Sequence, residues 1–252
     1  MSLIDRSTDI RAALRRRQGG FLMNPFRFGG GAPAGDPHFA NVSLLLHMDG
    51  TNGSTTFTDS SPTPKTVTAN GNAQISTAQS RFGGASGLFD GAGDFLGYNG
   101  LALGTQDVTI EAWARFNSVS GVRPIASSRL NNGNSTAYWM LYVEDGILKF
   151  QTRVGTQYIA SSTASISTGV WYHLAATRTS GVLRVFVGGI VGGTTANDGF
   201  ANITENSIAV GLFNFSGFVS YFSGHIDDLR RTDGVARYTA NFTPPIAPFP
   251  NF

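Results

Sequence analysis

The chain has 252 residues, 41% hydrophobic and 12% aromatic, enough for one sizeable core. Cysteine is absent and only 13% of residues are charged, which excludes disulfides and thiolate metal sites and leaves oxygen or imidazole for any bound metal. Charge is unevenly placed: residues 1–40 carry six Arg and three Asp, whereas residues 41–252 carry 12 Lys+Arg against 13 Asp+Glu.

Within residues 2–18, Ser2 and Asp5 as caps and Ile10, Ala13, Leu14 and Arg17 at helical spacing predict a short helix. Arg15, Arg16 and Arg17 end that stretch, and Phe21, Leu22, Phe26 and Phe28 follow between Gly-rich hinges. A flexible linker has no need of these apolar plugs, so residues 1–40 are expected to form an anchoring arm that docks on a partner surface. A solvated basic tail is the plainer alternative. The first 20 residues hold no apolar stretch of signal-peptide length, and no later run approaches the ~20 apolar residues of a membrane span. The expectation is a protein made in the cytoplasm without membrane insertion. No helix-turn-helix, zinc-finger or RNP pattern accompanies the basic arm, so nucleic acid is not expected as a partner.

From Val42 onward, strands alternate with Gly, Asn, Asp or Pro clusters, which sets a folded all-β domain over residues 41–252. Val108, Ile110, Ala112, Ala114 and Phe116 fall on one face of a period-two strand. Tyr138 to Glu144, the turn Asp145-Gly146, and Ile147 to Arg153 read as a hairpin, because Asp-Gly supplies the positive φ of a type I′ turn. Val170 to Arg178 is a further strand, and Leu183–Val187, Gly188-Gly189 and Ile190-Val191 give a second hairpin.

Several segments resemble, in order, the laminin-G-like, concanavalin-A-like lectin/glucanase family. They are Leu44 to Gly50, Phe82-Gly83-Gly84-Ala85, Leu88 to Leu96, Thr109 to Trp113, Gly169 to Ala175, Val185 to Gly189 and Gly224-His225-Ile226-Asp227-Asp228-Leu229-Arg230. The resemblance spans about residues 41–243 and implies a two-sheet antiparallel jelly-roll sandwich. The wording at 49–57 (Asp-Gly-Thr-Asn-Gly-Ser-Thr-Thr-Phe) and at 234–245 (Gly-Val-Ala-Arg-Tyr-Thr-Ala-Asn-Phe-Thr-Pro-Pro) is similar to the form found in tailed-bacteriophage virion proteins. That implies a virion-surface protein whose arm contacts other tail or capsid proteins and whose domain meets a host-surface glycan or receptor. A tail fibre or spike component is the first expectation, and a capsid decoration or head-fibre protein the second. A homo-oligomer is left open.

In many members of the family, strand-end carboxylates and carbonyls hold a structural Ca²⁺. By that resemblance Asp49, Asp90 and Asp227 are the candidate metal ligands; turn and strand-end hydrogen bonds without a metal are the alternative. His38, His47, His173 and His225 form no metal-binding pair and read as strand or core histidines. Family glucanases use a tight acidic cluster, whereas Glu111, Glu144 and Glu205 are far apart, so no catalytic residue is assigned and a polysaccharide-degrading enzyme is the disfavoured alternative. Glu111 either makes a structural hydrogen bond or faces a groove. Sugar binding sets an aromatic face beside amides, which makes Asn132, Tyr138 and Trp139 in one stretch, and Asn214 and Phe215 in another, the candidate contacts on expected loops. Core packing is the competing role for each aromatic.

Overall fold

A computed structural model describes residues 35–130 and 136–252. Arg15, Arg16, Arg17, Phe21, Phe26, Phe28 and Asn132 lie outside the described residues. The folded unit starts at Gly35, a few residues before the expected boundary. Asp36 explains the difference, because its carboxylate is built into a buried ion network with the far end of the chain.

After a 3-10 turn (Phe39–Asn41), the described residues are all strand and loop. In chain order the first strands are β1 (Val42–Leu46), β2 (Thr68–Asn70), β3 (Gln74–Ser76), β4 (Ser86–Asp90), β5 (Phe95–Asn99) and β6 (Val108–Phe116). Next come β7 (Val122–Ser127), β8 (Ala137–Glu144), β9 (Ile147–Val154), β10 (Thr156–Ser165), β11 (Trp171–Thr179) and β12 (Val182–Val187). The last are β13 (Ile190–Val191), β14 (Ala196–Asn197), β15 (Ser207–Val210), β16 (Leu212–Phe215), β17 (Phe218–Tyr221) and β18 (Ser223–Asp233). One sheet runs β13-β12-β11-β6-β18-β4-β3, with β1 on β18 and β14 on β12; the other runs β10-β9-β8-β7-β15-β5-β2. All pairings are antiparallel, and the two sheets stack as a jelly-roll sandwich.

Period-two alternation builds the core. Val108, Ile110, Ala112, Ala114 and Phe116 of β6 meet Trp139, Leu141 and Val143 of β8 and Leu148 and Phe150 of β9 in one buried cluster. Both expected hairpin turns form, with positive φ at Asp145 (49°) and Gly146 (82°) and at Gly188 (58°) and Gly189 (79°). Beyond Asp233 the chain carries no further strand, yet Phe249 is buried with Val42 and Leu45 on the outer side of the nine-stranded sheet. The two ends of the unit meet there as well, Asp36 N–H donating to the Phe252 carbonyl at 2.9 Å.

Candidate functional site

The outward residues of β6 alternate with its core residues, which puts Thr109, Glu111 and Trp113 on the outer face of the nine-stranded sheet. Glu111 is wholly buried there. Arg230 donates to its Oε1 through Nε (3.0 Å) and Nη2 (2.8 Å), Tyr238 O–H donates to Oε2 (2.9 Å), and His173 Nε2 lies 3.2 Å away. Asp36 joins by accepting from Arg230 Nη1 (2.8 Å) and from both terminal nitrogens of Arg237 (2.9 and 2.7 Å). Burial alone would push the Glu111 carboxyl up, but Arg230 and His173 outweigh it and hold it at about 2. Over the network lie the aromatic rings of the C-terminal segment: Phe242 stacks on Tyr238 at 3.5 Å, and Arg230 sits 3.8 Å over Phe249. The Arg237-Tyr238 and Phe242 portion of the closing signature is therefore a latch, and Glu111 makes structural bonds.

A bulge in β18 between Asp227 and Arg230, with Asp228 at φ 48°, shifts the alternation so that Asp227 and Arg230 both face outward. Asp228 is fixed by His47 Nδ1 (2.7 Å) and by the Phe249 N–H (2.7 Å), and that carboxylate raises the His47 pKa against the opposing effect of burial. Asp227 Oδ2 accepts the N–H groups of Arg81 (2.6 Å) and Phe82 (3.0 Å). The Asp49 carboxylate lies against Gly83, where a Cβ would fall 1.8 Å from its Oδ1. Asp49 and Asp227 thus converge on one turn at 81–83. Burial, reinforced by Asp228 and Asp49, pushes Asp227 up to about 7 despite its two N–H donors, and its Oδ1 is buried without a hydrogen-bond partner.

Asp90 does not join them. It sits opposite Ser223, four ladder positions from Asp227, and caps its own turn by accepting the Ala92 N–H at 2.7 Å. Among the described residues no group of three His, Asp or Glu side chains is placed to hold a metal. The expected ligand set is therefore split by the strand register. Asp49 and Asp227 fit a hard cation through the orphaned oxygen and the crowded charge, and the remaining oxygens of a Ca²⁺ shell would have to be carbonyls or water.

The outer face of the seven-stranded sheet is organised differently. One row crosses five strands as Gly97, Ala209, Ser127, Met140 and Gln151. The β16–β17 hairpin folds over one end of it. Ser127 Oγ donates to the Leu212 carbonyl (2.7 Å), and Phe213 and Phe215 pack on Tyr138 with ring centroids 5.3 and 5.2 Å apart. Arg129 stacks on Phe215 at 4.7 Å, and Gln151 Nε2 donates to the Tyr138 hydroxyl at 2.8 Å.

Of the expected sugar contacts, Tyr138 and Phe215 are thus brought together, but in strands and partly covered, while Asn214 alternates between Phe213 and Phe215 in β16 and is tied by its N–H to the Arg129 carbonyl. Tyr138 is 3% exposed. Trp139, 1% exposed, belongs to the inner face, because neighbours in a strand point to opposite sides. The expectation that Tyr138 and Trp139 stand on a loop is corrected by β8, which already runs at Ala137.

The other end of the row is open. A cleft of about 480 Å³ lies over β5 and β2, walled by Thr66, Thr68, Asn70, Phe95, Asn99 and Leu130 with Gly97 as its floor. Leu130 leans over Gly97; a Cβ there would stand 3.1 Å from the Leu130 methyls, which would have to shift by a few tenths of an ångström. Thr, Asn and two aromatic residues, Phe95 and the largely buried Tyr98, line the space, and its lining holds no charged side chain. None of these residues was singled out from sequence. The only available signal was Asn and Thr alternating along strands whose pairing joins positions 25 to 29 apart.

No curated protein matches the chain in sequence. Among solved structures, domain 4 of AbnA, a GH43 extracellular arabinanase from Geobacillus stearothermophilus in complex with arabinotriose, is similar with a TM-score of 0.58 at 19% identity, over 77% of this chain and 93% of that one. The receptor binding domain of botulinum neurotoxin C/D mosaic serotype is similar with a TM-score of 0.56 at 16% identity, over 79% of this chain. The chain spans 49% of that domain's length. These likenesses concern the fold. Residues 89–235 match the laminin G form of the Concanavalin A-like lectin/glucanases superfamily, and since that match takes in more than half of the sequence, the chain belongs to this superfamily.

Proposed function

We propose that the protein is a non-enzymatic, lectin-like module that holds a host-surface glycan in the cleft over β5 and β2. The observation that carries this reading is the lining itself: Phe95 offers a ring to a sugar's C–H face beside the Asn70 and Asn99 amides and the Thr66 and Thr68 hydroxyls. Its size suits a ligand site, and no pair of carboxylates faces it among the described residues, which favours holding a sugar over hydrolysing one. The likeness to an arabinanase domain solved with arabinotriose lends support. Single-site affinity in such a shallow cleft is weak, and display of many copies compensates through avidity.

The setting we propose is the surface of a tailed-phage particle, as a tail fibre or spike component made in the host cytoplasm. The similarity of the 49–57 and 234–245 segments to phage virion proteins supports this, as does the basic, Phe-bearing stretch before residue 35 as a tether to other virion proteins. A glycan array tests binding, and Phe95→Ala together with Asn99→Ala should abolish whatever signal the native protein gives. Immunogold labelling of purified particles tests location. An array blank for the native protein, displayed multivalently, would sink the glycan reading.

A further inference from the structure

Where β1 runs beside the end of β18, the surface opens into a cleft of about 390 Å³. Strand geometry aims two polar side chains at it. The β1–β18 pairing slips between Val42 and Leu44, which leaves Ser43 as an extra residue without a ladder partner. Val42 and Leu45 pack on the outer side and Leu44 in the core, so the bulge turns Ser43 inward together with Leu44. On β18, Arg231 and Asp233 stand opposite the core residues Ile110 and Val108 and point to the same inner side.

Ser43 and Asp233 both line the cleft, and neither is satisfied by the fold. Ser43 Oγ and Asp233 Oδ2 are buried without hydrogen-bond partners, on residues only 9% and 8% exposed. Arg231 already neutralises Asp233, its Nε donating to Oδ1 at 2.8 Å, while Nη2 and Oδ2 both stay without partners. What Oδ2 lacks is a hydrogen-bond donor, not a charge. Buried polar atoms left open cost stability until a ligand or water completes them. Lys65, also in the lining, has the opposite need. Its ammonium donates to the Thr63 carbonyl at 2.8 Å, Asp59 takes only its main-chain N–H, and among the described residues no carboxylate pairs with the charge. Leu101, 59% exposed, adds an apolar surface to the same space.

We infer that this cleft is a second binding site, separate from the one over β5 and β2, and that its ligand is a hydroxylated carboxylate of monosaccharide size, the chemistry of a uronic acid. A ligand hydroxyl supplies the donor that Asp233 Oδ2 lacks and bonds Ser43 Oγ, a carboxylate answers Lys65, and the C–H face of the ring rests on Leu101. A neutral sugar would leave the Lys65 ammonium without a counter-charge. A cationic ligand would meet Lys65 and an aspartate that Arg231 already pairs. The volume falls within the range of small-ligand pockets. No residue lines both clefts, so the acidic ligand class belongs to this site alone and does not depend on what the first one holds.

The test is titration of the whole isotope-labelled protein with galacturonic and glucuronic acids, and with galactose and glucose as neutral counterparts, read as amide shifts by nuclear magnetic resonance. At least one acid should move the signals of Ser43, Leu101 and Asp233 in a saturable way, and its neutral counterpart should need roughly tenfold more for the same shift. Lys65→Gln, which keeps the main-chain bond to Asp59, should erase that preference. Ser43→Ala should weaken acid and neutral sugar alike, with the thermal midpoint recorded for each variant to show that it folds. Equal response to acid and neutral sugar, or a preference that survives Lys65→Gln, overturns the acidic assignment. Shifts confined to β2 and β5, or none with any of the four sugars, remove this site and leave the glycan reading of the first cleft to its own array test.

Discussion

The two outer faces of the sandwich have opposite fates. On the nine-stranded sheet, a C-terminal segment without strand structure lies down over Glu111, His173 and Arg230, and ionic bonds plus stacked aromatics close the face. On the seven-stranded sheet, a two-stranded hairpin covers only the β7–β8 half, and the β5–β2 half stays open as an uncharged cleft. A buried ion network marks the closed face, whereas neutral polar groups line the open cleft on the other. Ionisable residues, usually the first place to look for chemistry, here serve the architecture.

The sharpest way to break this contrast is to remove the centre of the closed face. Glu111→Ala strands Arg230 in a buried site, and denaturant unfolding should show a loss of about 3–5 kcal/mol. Cleft residues substituted in parallel should leave stability nearly unchanged. Phe249→Ala should cost about 3 kcal/mol by emptying the pocket beside Val42 and Leu45, and limited proteolysis should then reach the segment after Asp233.

Acid separates two contributions on the same face. Burial, with the Arg115 charge adding to it, lowers His225 to about 4, so the fold favours its neutral form; that stability is present above 6.5 and is lost as pH falls from 6.5 to 4. Glu111 has a depressed folded value, so its contribution is present above 4.5 and is lost as pH falls toward 2. Asp227, raised to about 7 in the fold, gains stability over part of the same range as pH falls, so each loss is read as the difference in thermal midpoint between the native protein and the variant that lacks the group. His225→Gln should erase the first, worth on the order of 3 kcal/mol, and leave the second. Removal of Ca²⁺ by chelator should lower the midpoint by a few degrees if Asp49 and Asp227 hold the ion, and Asp227→Asn should make the protein indifferent to chelator while Asp90→Asn does not. The smallest effect belongs to the open face: Phe95→Ala should weaken glycan binding by about 1 kcal/mol with no change in midpoint.

Local pattern carried much of the fold. The β6 alternation and the Asp145-Gly146 and Gly188-Gly189 turns each depend on residues close in sequence, and each forms as the pattern implies. The candidate site was less legible, because it depends on register between distant strands. Asp90 and Asp227 look like partners in the chain, yet antiparallel pairing of β4 with β18 sets them at different ladder positions. Trp139 follows Tyr138 in sequence, and strand geometry sends it to the other side of the sheet. The open cleft joins Asn70 to Phe95 through a pairing that no turn signal announces. Asp36, near the start of the folded unit, reads as part of the arm until Arg230 and Arg237 are seen beside it.

The hydrogen bond between Asp36 and Phe252 brings entry and exit of the folded unit to a single spot. Polypeptide attached on either side would emerge there, so the sandwich can hang from a scaffold like a pendant on one knot.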